Sequence, residues 1–76
     1  MTIETALEAF SKMGPEVRDK VTLRGNSLFV PVSKGMMTVF GAEDATSLTS
    51  SVREFAATHQ LIFVGGEPEQ LELRKP

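Results

Sequence analysis

The apolar positions of the chain recur with a helical period in two places. Between residues 3 and 13 they are spaced three and four apart and cover about 120° of a helix surface. Gly14 and Pro15 follow and predict the end of this helix, because proline cannot continue it. A second stripe runs through residues 45–58, behind Asp44, which is suited to cap a helix. The pattern therefore predicts two amphipathic helices.

Five short stretches have the alternation or the apolar run that is typical of strands. They cover residues 21–24, 27–32, 36–40, 61–64 and 71–74, and the polar residues 16–20 predict a connection. Gly25–Asn26 supplies a two-residue hairpin turn, and Gly35 predicts a bulged turn before the third strand. The run Leu61–Val64 is apolar throughout and predicts a strand that is buried on both faces. The predicted order is αβββαββ.

Pro31 constrains the pairing of the second predicted strand, because proline has no backbone N–H to donate to a neighbouring strand. Either this strand lies at a sheet edge, or its pairing changes from the first strand to the third near Pro31. We expect the second arrangement, because turn signals flank the strand on both sides.

These elements predict a single α+β domain over residues 1–76, with a mainly antiparallel sheet and two helices. A chain of 76 residues buries a small core, and the absence of cysteine removes disulfides as a supplement. Self-association is another way to enlarge such a core, so we expect a homodimer.

The net charge and the absence of targeting signals indicate which partners and which location to expect. The formal net charge is −2, without the basic excess that phosphate binding requires, so nucleic acid is not the expected partner. The chain has no apolar run of the roughly 20 residues that span a bilayer, and residues 1–5 have no basic region and no long apolar segment, so we expect no secretory signal. We expect a cytoplasmic protein that does not bind membranes.

The residues that could support catalysis are few. His59 is the only histidine, and at the end of the second helix it is better explained as a partly buried cap than as a general base or metal ligand. Glu67 and Glu69 lie in a hairpin loop but lack the ligand spacing of a calcium loop. We therefore predict no enzymatic activity, no cofactor and no metal.

The two strands around Gly35 suggest an interaction surface. If Val30, Val32, Met37 and Val39 face the helices, the opposite sheet face carries Phe29, Met36, Thr38 and Phe40. An exposed apolar patch of that size marks an interaction site, and methionine adapts well to partners. The alternative is that one helix covers each face of the sheet within the same chain.

We therefore expect a small non-enzymatic module that binds another protein through a sheet face or a strand edge, as an inhibitor, adaptor or accessory regulator of the phage or bacterial kind. The alternative is a nucleic-acid-binding regulator, since a helix followed by a hairpin is the local order of a winged-helix unit. In that alternative Thr46, Ser50 and Arg53 of the helix over residues 45–58 would contact phosphates. Its weakness is the acidic hairpin, which carries Glu72.

Overall fold

The computed structural model describes residues 2–65 and 69–76. The helices are α1 (Thr2–Met13), α2 (Pro15–Lys20), α3 (Lys34–Phe40) and α4 (Ala45–Thr58), and the strands are β1 (Thr22–Arg24), β2 (Ser27–Pro31), β3 (Ile62–Gly65) and β4 (Gln70–Arg74). The predicted α+β class with an antiparallel sheet is confirmed. The observed order in the described residues is ααββααββ, with two more helices and one strand fewer than predicted. Gly66, Glu67 and Pro68 of the predicted hairpin loop lie outside the described residues.

The strands form one antiparallel sheet in the order β1-β2-β4-β3. β1 and β2 form the predicted hairpin, in which Gly25 takes a positive φ of 58°. β4 forms the other predicted hairpin with β3 and also pairs with β2 along its whole length. The last strand of the chain is therefore an inner strand, and β1 and β3 are the two edges.

The segment 36–40, predicted as a strand, lies in helix α3. The Ser33 hydroxyl caps the start of this helix by accepting a hydrogen bond from the Met36 backbone N–H at 3.2 Å. Gly41 ends the helix in the left-handed conformation, with its N–H directed to the carbonyl groups of the last turn. The predicted hairpin around Gly35 is therefore wrong. Residues 16–20, predicted as a connection, form most of α2, which has Pro15 in its first turn.

Pro31 occupies the last position of β2, opposite Gln70 of β4. β1 begins opposite Phe29, so β2 extends beyond its other neighbour at this end. A residue without an N–H is tolerated there because only one side of the strand is paired. β2 is thus an inner strand, and the expected change of pairing to a strand at 36–40 does not occur because that segment is helical.

A single face of the sheet carries the core. Leu28 and Val30 of β2 lie opposite Leu73 and Leu71 of β4, and all four side chains are buried. They pack with buried residues from each of the helices and the connections between them: Ala6, Phe10, Val17, Val21, Met36, Leu48, Val52, Ala56 and Leu61. The helices therefore cover one face of the sheet and leave the residues of the other face, such as Phe29, on the opposite side.

Candidate protein-interaction site

The four residues predicted to share a surface lie in three different places. Met36 is fully buried in the core. Phe40 is partly buried, with its ring centre 6.3 Å from that of Phe10. Thr38 is exposed on α3 and donates a hydrogen bond to the carbonyl of Lys34 at 3.0 Å. The prediction of one common surface is wrong because a helical segment at 36–40 distributes its side chains around an axis instead of along a sheet face.

Phe29 lies on the sheet face away from the core, half-buried and opposite Glu72 in the register. Polar groups surround it on this outer face. Ser27 donates a hydrogen bond to the Glu72 carboxylate at 2.7 Å, and the Arg74 guanidinium lies 3.8 Å from the same oxygen. The outer face is therefore a mixed surface with a single aromatic ring and not a broad apolar patch.

Exposed apolar side chains are instead found at the β3 edge. Ile62 and Val64 are 49% and 46% exposed, although both belong to an apolar run that predicts a buried strand. That prediction is wrong because the helices cover only one face of the sheet, and because β3 is an edge strand whose outer side has no neighbour among the described residues. β3 contains neither a charged residue nor a proline, which are two of the features with which edge strands commonly prevent further pairing.

A bulge shapes the end of this edge. Phe63 pairs with Leu73, and Gly65 pairs with the next residue, Glu72, so that Val64 is the extra residue. Gly65 has a φ of 86°, which favours glycine at the bulge. The regular part of the edge therefore consists of Ile62 and Phe63, which point to opposite faces of the sheet, followed by the exposed Val64.

Arg53 of α4 lies above the same edge. Its guanidinium carbon is 5.1 Å from the centre of the Phe63 ring, within the range of a cation–π contact. Neither of the ion pairs formed by the described residues involves Arg53, so the residue presents its N–H donors without a carboxylate partner in that part of the chain. The β3 edge (Ile62, Phe63 and Val64) thus has an adjacent cation on its helix side.

The residues of the nucleic-acid alternative share the exposed side of α4. Thr46, Ser50 and Arg53 are all exposed, as the helical period predicts. The order of a helix followed by a hairpin is also present, in α4, β3 and β4. However, β4 pairs with β2 inside the sheet, so the two strands of this hairpin belong to the main sheet and do not form a separate wing.

His59 is the C-cap residue of α4, as its position at the helix end predicts. Its ring centre lies 4.4 Å from that of Phe55, and the side chain is half-buried. Within residues 2–65 and 69–76, no three histidine, cysteine or acidic side chains form a group that could hold a metal ion. The contacts of His59 in the described structure are those of a packed cap.

Two shallow cavities that are lined by described residues lie elsewhere on the surface. One of about 300 Å³ lies between α1, α2 and α3, and Met13, Lys20 and Val39 are among its lining residues. The other, of about 210 Å³, lies between α1 and the β1–β2 turn and is bordered by Leu7 and Leu23. Both are at or below the small end of the volumes of ligand pockets.

Sequence reasoning identified Arg53 but missed its position beside Phe63. The residues are ten apart in sequence, and their contact depends on how α4 packs over β3. Ile62 and Val64 were missed because an apolar run alone does not show whether a strand is inner or outer.

Comparison of this chain with protein-family models, with curated protein sequences and with solved structures finds no match. Among the described residues, no helix combines the length and the apolar content that are needed to cross a membrane.

Proposed function

We propose that the protein is a small binding module without catalytic activity, which takes an extended segment of another protein as a fifth strand on β3. The observation that supports this proposal is the β3 edge itself. It combines exposed apolar side chains with a strand side that has no neighbour in the described structure. Strand addition uses these two properties, with the main chain supplying affinity and alternate side chains supplying specificity.

The other edge is a poorer acceptor. β1 has only three residues, and although Leu23 is 45% exposed, the strand ends in the charged Arg24. A short edge strand that carries a charge resists further pairing. The outer sheet face is also less suitable, because Ser27, Glu72 and Arg74 already contact one another there.

An inhibitor, an adaptor or an accessory regulator would each use such an edge, since all three act by occupying or joining other proteins. A homodimer, expected from the small size of the chain, would use the same edge. Antiparallel pairing of β3 with a second copy places both Arg53 side chains on one face of the seam, which brings like charges together. The repulsion between the two Arg53 side chains disfavours the homodimer and favours a partner strand of different sequence. The solution mass of the pure protein distinguishes a homodimer from a monomer that binds another protein.

The proposal is tested with a displayed library of random decapeptides, selected on the immobilised protein. We expect the selected peptides to slow amide hydrogen exchange in β3, and N-methylation at every second peptide position to abolish binding. Ile62→Lys should weaken binding at least about tenfold, because it places a charge on the receiving edge. Leu23→Lys, a matched change at the other edge, should leave binding unaltered.

Two results would contradict the proposal. One is that selected peptides protect amides in another part of the chain but not in β3. The other is that Ile62→Lys and Leu23→Lys have the same effect on affinity. Thermal unfolding followed by circular dichroism checks that both variants remain folded, which the exposure of the two side chains leads us to expect.

The nucleic-acid alternative has one supporting observation, the shared exposure of Thr46, Ser50 and Arg53 on α4. Electrostatic binding to DNA is strongest at low salt. Fluorescence anisotropy with duplex DNA at low salt therefore tests it directly. We expect no binding, because the net charge is −2 and the hairpin strand β4 carries Glu72.

A further inference from the structure

We propose that the β3 edge selects an acidic partner strand, in which a glutamate or aspartate on the helix side pairs with Arg53 and an apolar residue on the outer side packs against Ile62. This inference rests on the proposed function and adds the chemistry of the partner. Two properties of the site support it, a preorganised cation and an apolar outer side, together with the alternation of side chains in an added strand.

Arg53 is held in place before any partner binds. Its guanidinium lies over the Phe63 ring, 5.1 Å from the centre, which restricts the motion of a long side chain. A guanidinium that contacts an aromatic ring by its face keeps its N–H donors at its edge, so a ring contact and carboxylate binding are compatible. A cation that is already ordered loses less entropy when it pairs with a carboxylate than a mobile lysine would.

The neighbours of Arg53 along the helix surface are small and uncharged. Thr49 and Ala57, four residues before and after it, are its neighbours along the helix surface, and both side chains are small. Neither carries a charge that would compete for the guanidinium. A partner side chain that rises from the sheet edge toward α4 therefore meets a cation flanked by small groups.

The outer side of the β3 edge has a different character. Ile62 lies opposite Arg74 in the register, which places it on the sheet face away from the core, and it is 49% exposed. Arg74 itself lies 3.8 Å from Glu72, so the nearest cation on this side already has an acidic partner. An apolar side chain is the better complement to this half of the site.

Side chains of an added strand alternate between the two faces of the sheet. A strand on β3 therefore presents every second residue to Arg53 and the residues between them to Ile62. The complementary sequence alternates acidic and apolar residues along the length of β3. Charge–charge complementarity of this kind also raises the rate of encounter and makes the affinity depend on salt.

The test applies the same decapeptide library to three proteins: wild type, Arg53→Gln and the matched control Arg74→Gln. We expect the wild type to enrich aspartate and glutamate at alternate positions, with apolar residues between them. Arg53→Gln should lose the acidic enrichment and retain the apolar one, whereas Arg74→Gln should retain both. For a peptide selected on the wild type, glutamate-to-glutamine substitution at the enriched position should weaken binding about tenfold, and this difference should vanish on Arg53→Gln.

The outcomes separate this inference from the proposed function. Apolar alternation without acidic enrichment on the wild type, with β3 amides protected, would overturn the acidic-strand inference and leave strand addition standing. Persistence of the acidic enrichment on Arg53→Gln would also overturn it. If no selected peptide protects β3, both proposals fail. A doubled solution mass that Ile62→Lys returns to that of the monomer would show a second copy as the occupant, and this too would overturn the acidic partner.

Discussion

At the scale of single residues, Ser33 shows how one hydroxyl decides a local structure. It accepts a hydrogen bond from the Met36 N–H and satisfies one of the donors that the start of α3 leaves open. We predict that Ser33→Ala lowers the free energy of unfolding by about 1 kcal/mol. Ser33→Asp, which keeps an acceptor, should stay near the wild-type value. Urea denaturation measures both, and equal stability of Ser33→Ala and wild type would contradict the cap.

Asp44 caps α4 in the same way, as the sequence predicts. The backbone hydrogen bond from Ser47, at 2.8 Å from Oδ1, lowers the pKa of Asp44 below its ordinary value of 3.8. A lowered pKa in the folded state means that the charged form stabilises the fold above pH 3.8, and that this contribution disappears as the pH falls through the lowered value.

We therefore predict that Asp44→Asn is less stable than wild type near neutral pH, and that the difference shrinks when the pH is lowered to about 3. Asparagine also caps helices well but does not titrate in this range, so the comparison isolates the charge. The measurement is urea denaturation at the two pH values. A difference of the same size at both would show that the charge of Asp44 does not stabilise α4.

At the scale of the elements, the two long helices and the two hairpins were readable from the sequence, whereas α3 was not. The segment 36–40 has the β-branched and aromatic residues of a strand, and five residues are too few for the period to distinguish the two structures. Its helix signals are the residues at its ends, Ser33 and Gly41. The hairpin interpretation assigns Gly35 to a turn and starts a strand at residue 36. Both positions lie inside helix α3.

Glycine substitutions give opposite predictions for the helix and for the hairpin turn. Gly35 lies in α3 without a positive φ, and an added Cβ would meet only the mobile end of Lys20 closely, at 2.9 Å from Nζ. We predict that Gly35→Ala stabilises the protein by up to about 1 kcal/mol, the difference in helix propensity. The turn interpretation predicts a loss, because alanine is strained in the left-handed region. Gly41→Ala is the matched control and should be destabilising, since Gly41 has a φ of 69°. Thermal and urea unfolding give the sign of both changes.

The position of β3 at an edge of the sheet also could not be predicted from the sequence. It follows from the pairing of β2 with β4, whose residues Ser27 and Glu72 are 45 apart in the chain. Local patterns carry little information about pairing at that distance, because any of the apolar stretches can satisfy the same alternation. The candidate site depends on the pairing of β2 with β4, so the sequence indicates only Arg53 among the residues of the site as a binding residue.

At the scale of the whole molecule, the helical stripes predicted the core well because burial follows the period over several turns. Ala6 and Phe10 of α1, and Leu48, Val52 and Ala56 of α4, are all buried as their spacing indicates. Met13 departs from this pattern and remains 41% exposed, because it lies in the last turn of α1, where the chain leaves the core for α2.

Phe10 joins three of the helices and is the best single test of this core. Its ring is fully buried and lies 4.6 Å from that of Phe55 on α4 and 6.3 Å from that of Phe40 on α3. Removal of a buried aromatic ring costs about 3–5 kcal/mol, and a chain of this length has a total stability of roughly 4–11 kcal/mol. We therefore predict that Phe10→Ala is partly or fully unfolded at 25 °C, a standard laboratory temperature.

Phe10→Leu fills more of the space, so it should fold with a clearly lower urea midpoint, and Met13→Ala should change the free energy of unfolding by less than about 1 kcal/mol. Circular dichroism and urea denaturation of the three variants measure this ranking. A cooperative, near-wild-type transition for Phe10→Ala would mean that α1 does not pack on α3 and α4 through this ring. Arg53 is positioned over Phe63 by α4. If α1 does not pack on α4, the β3 edge keeps its form only when α4 and the sheet are stable without α1.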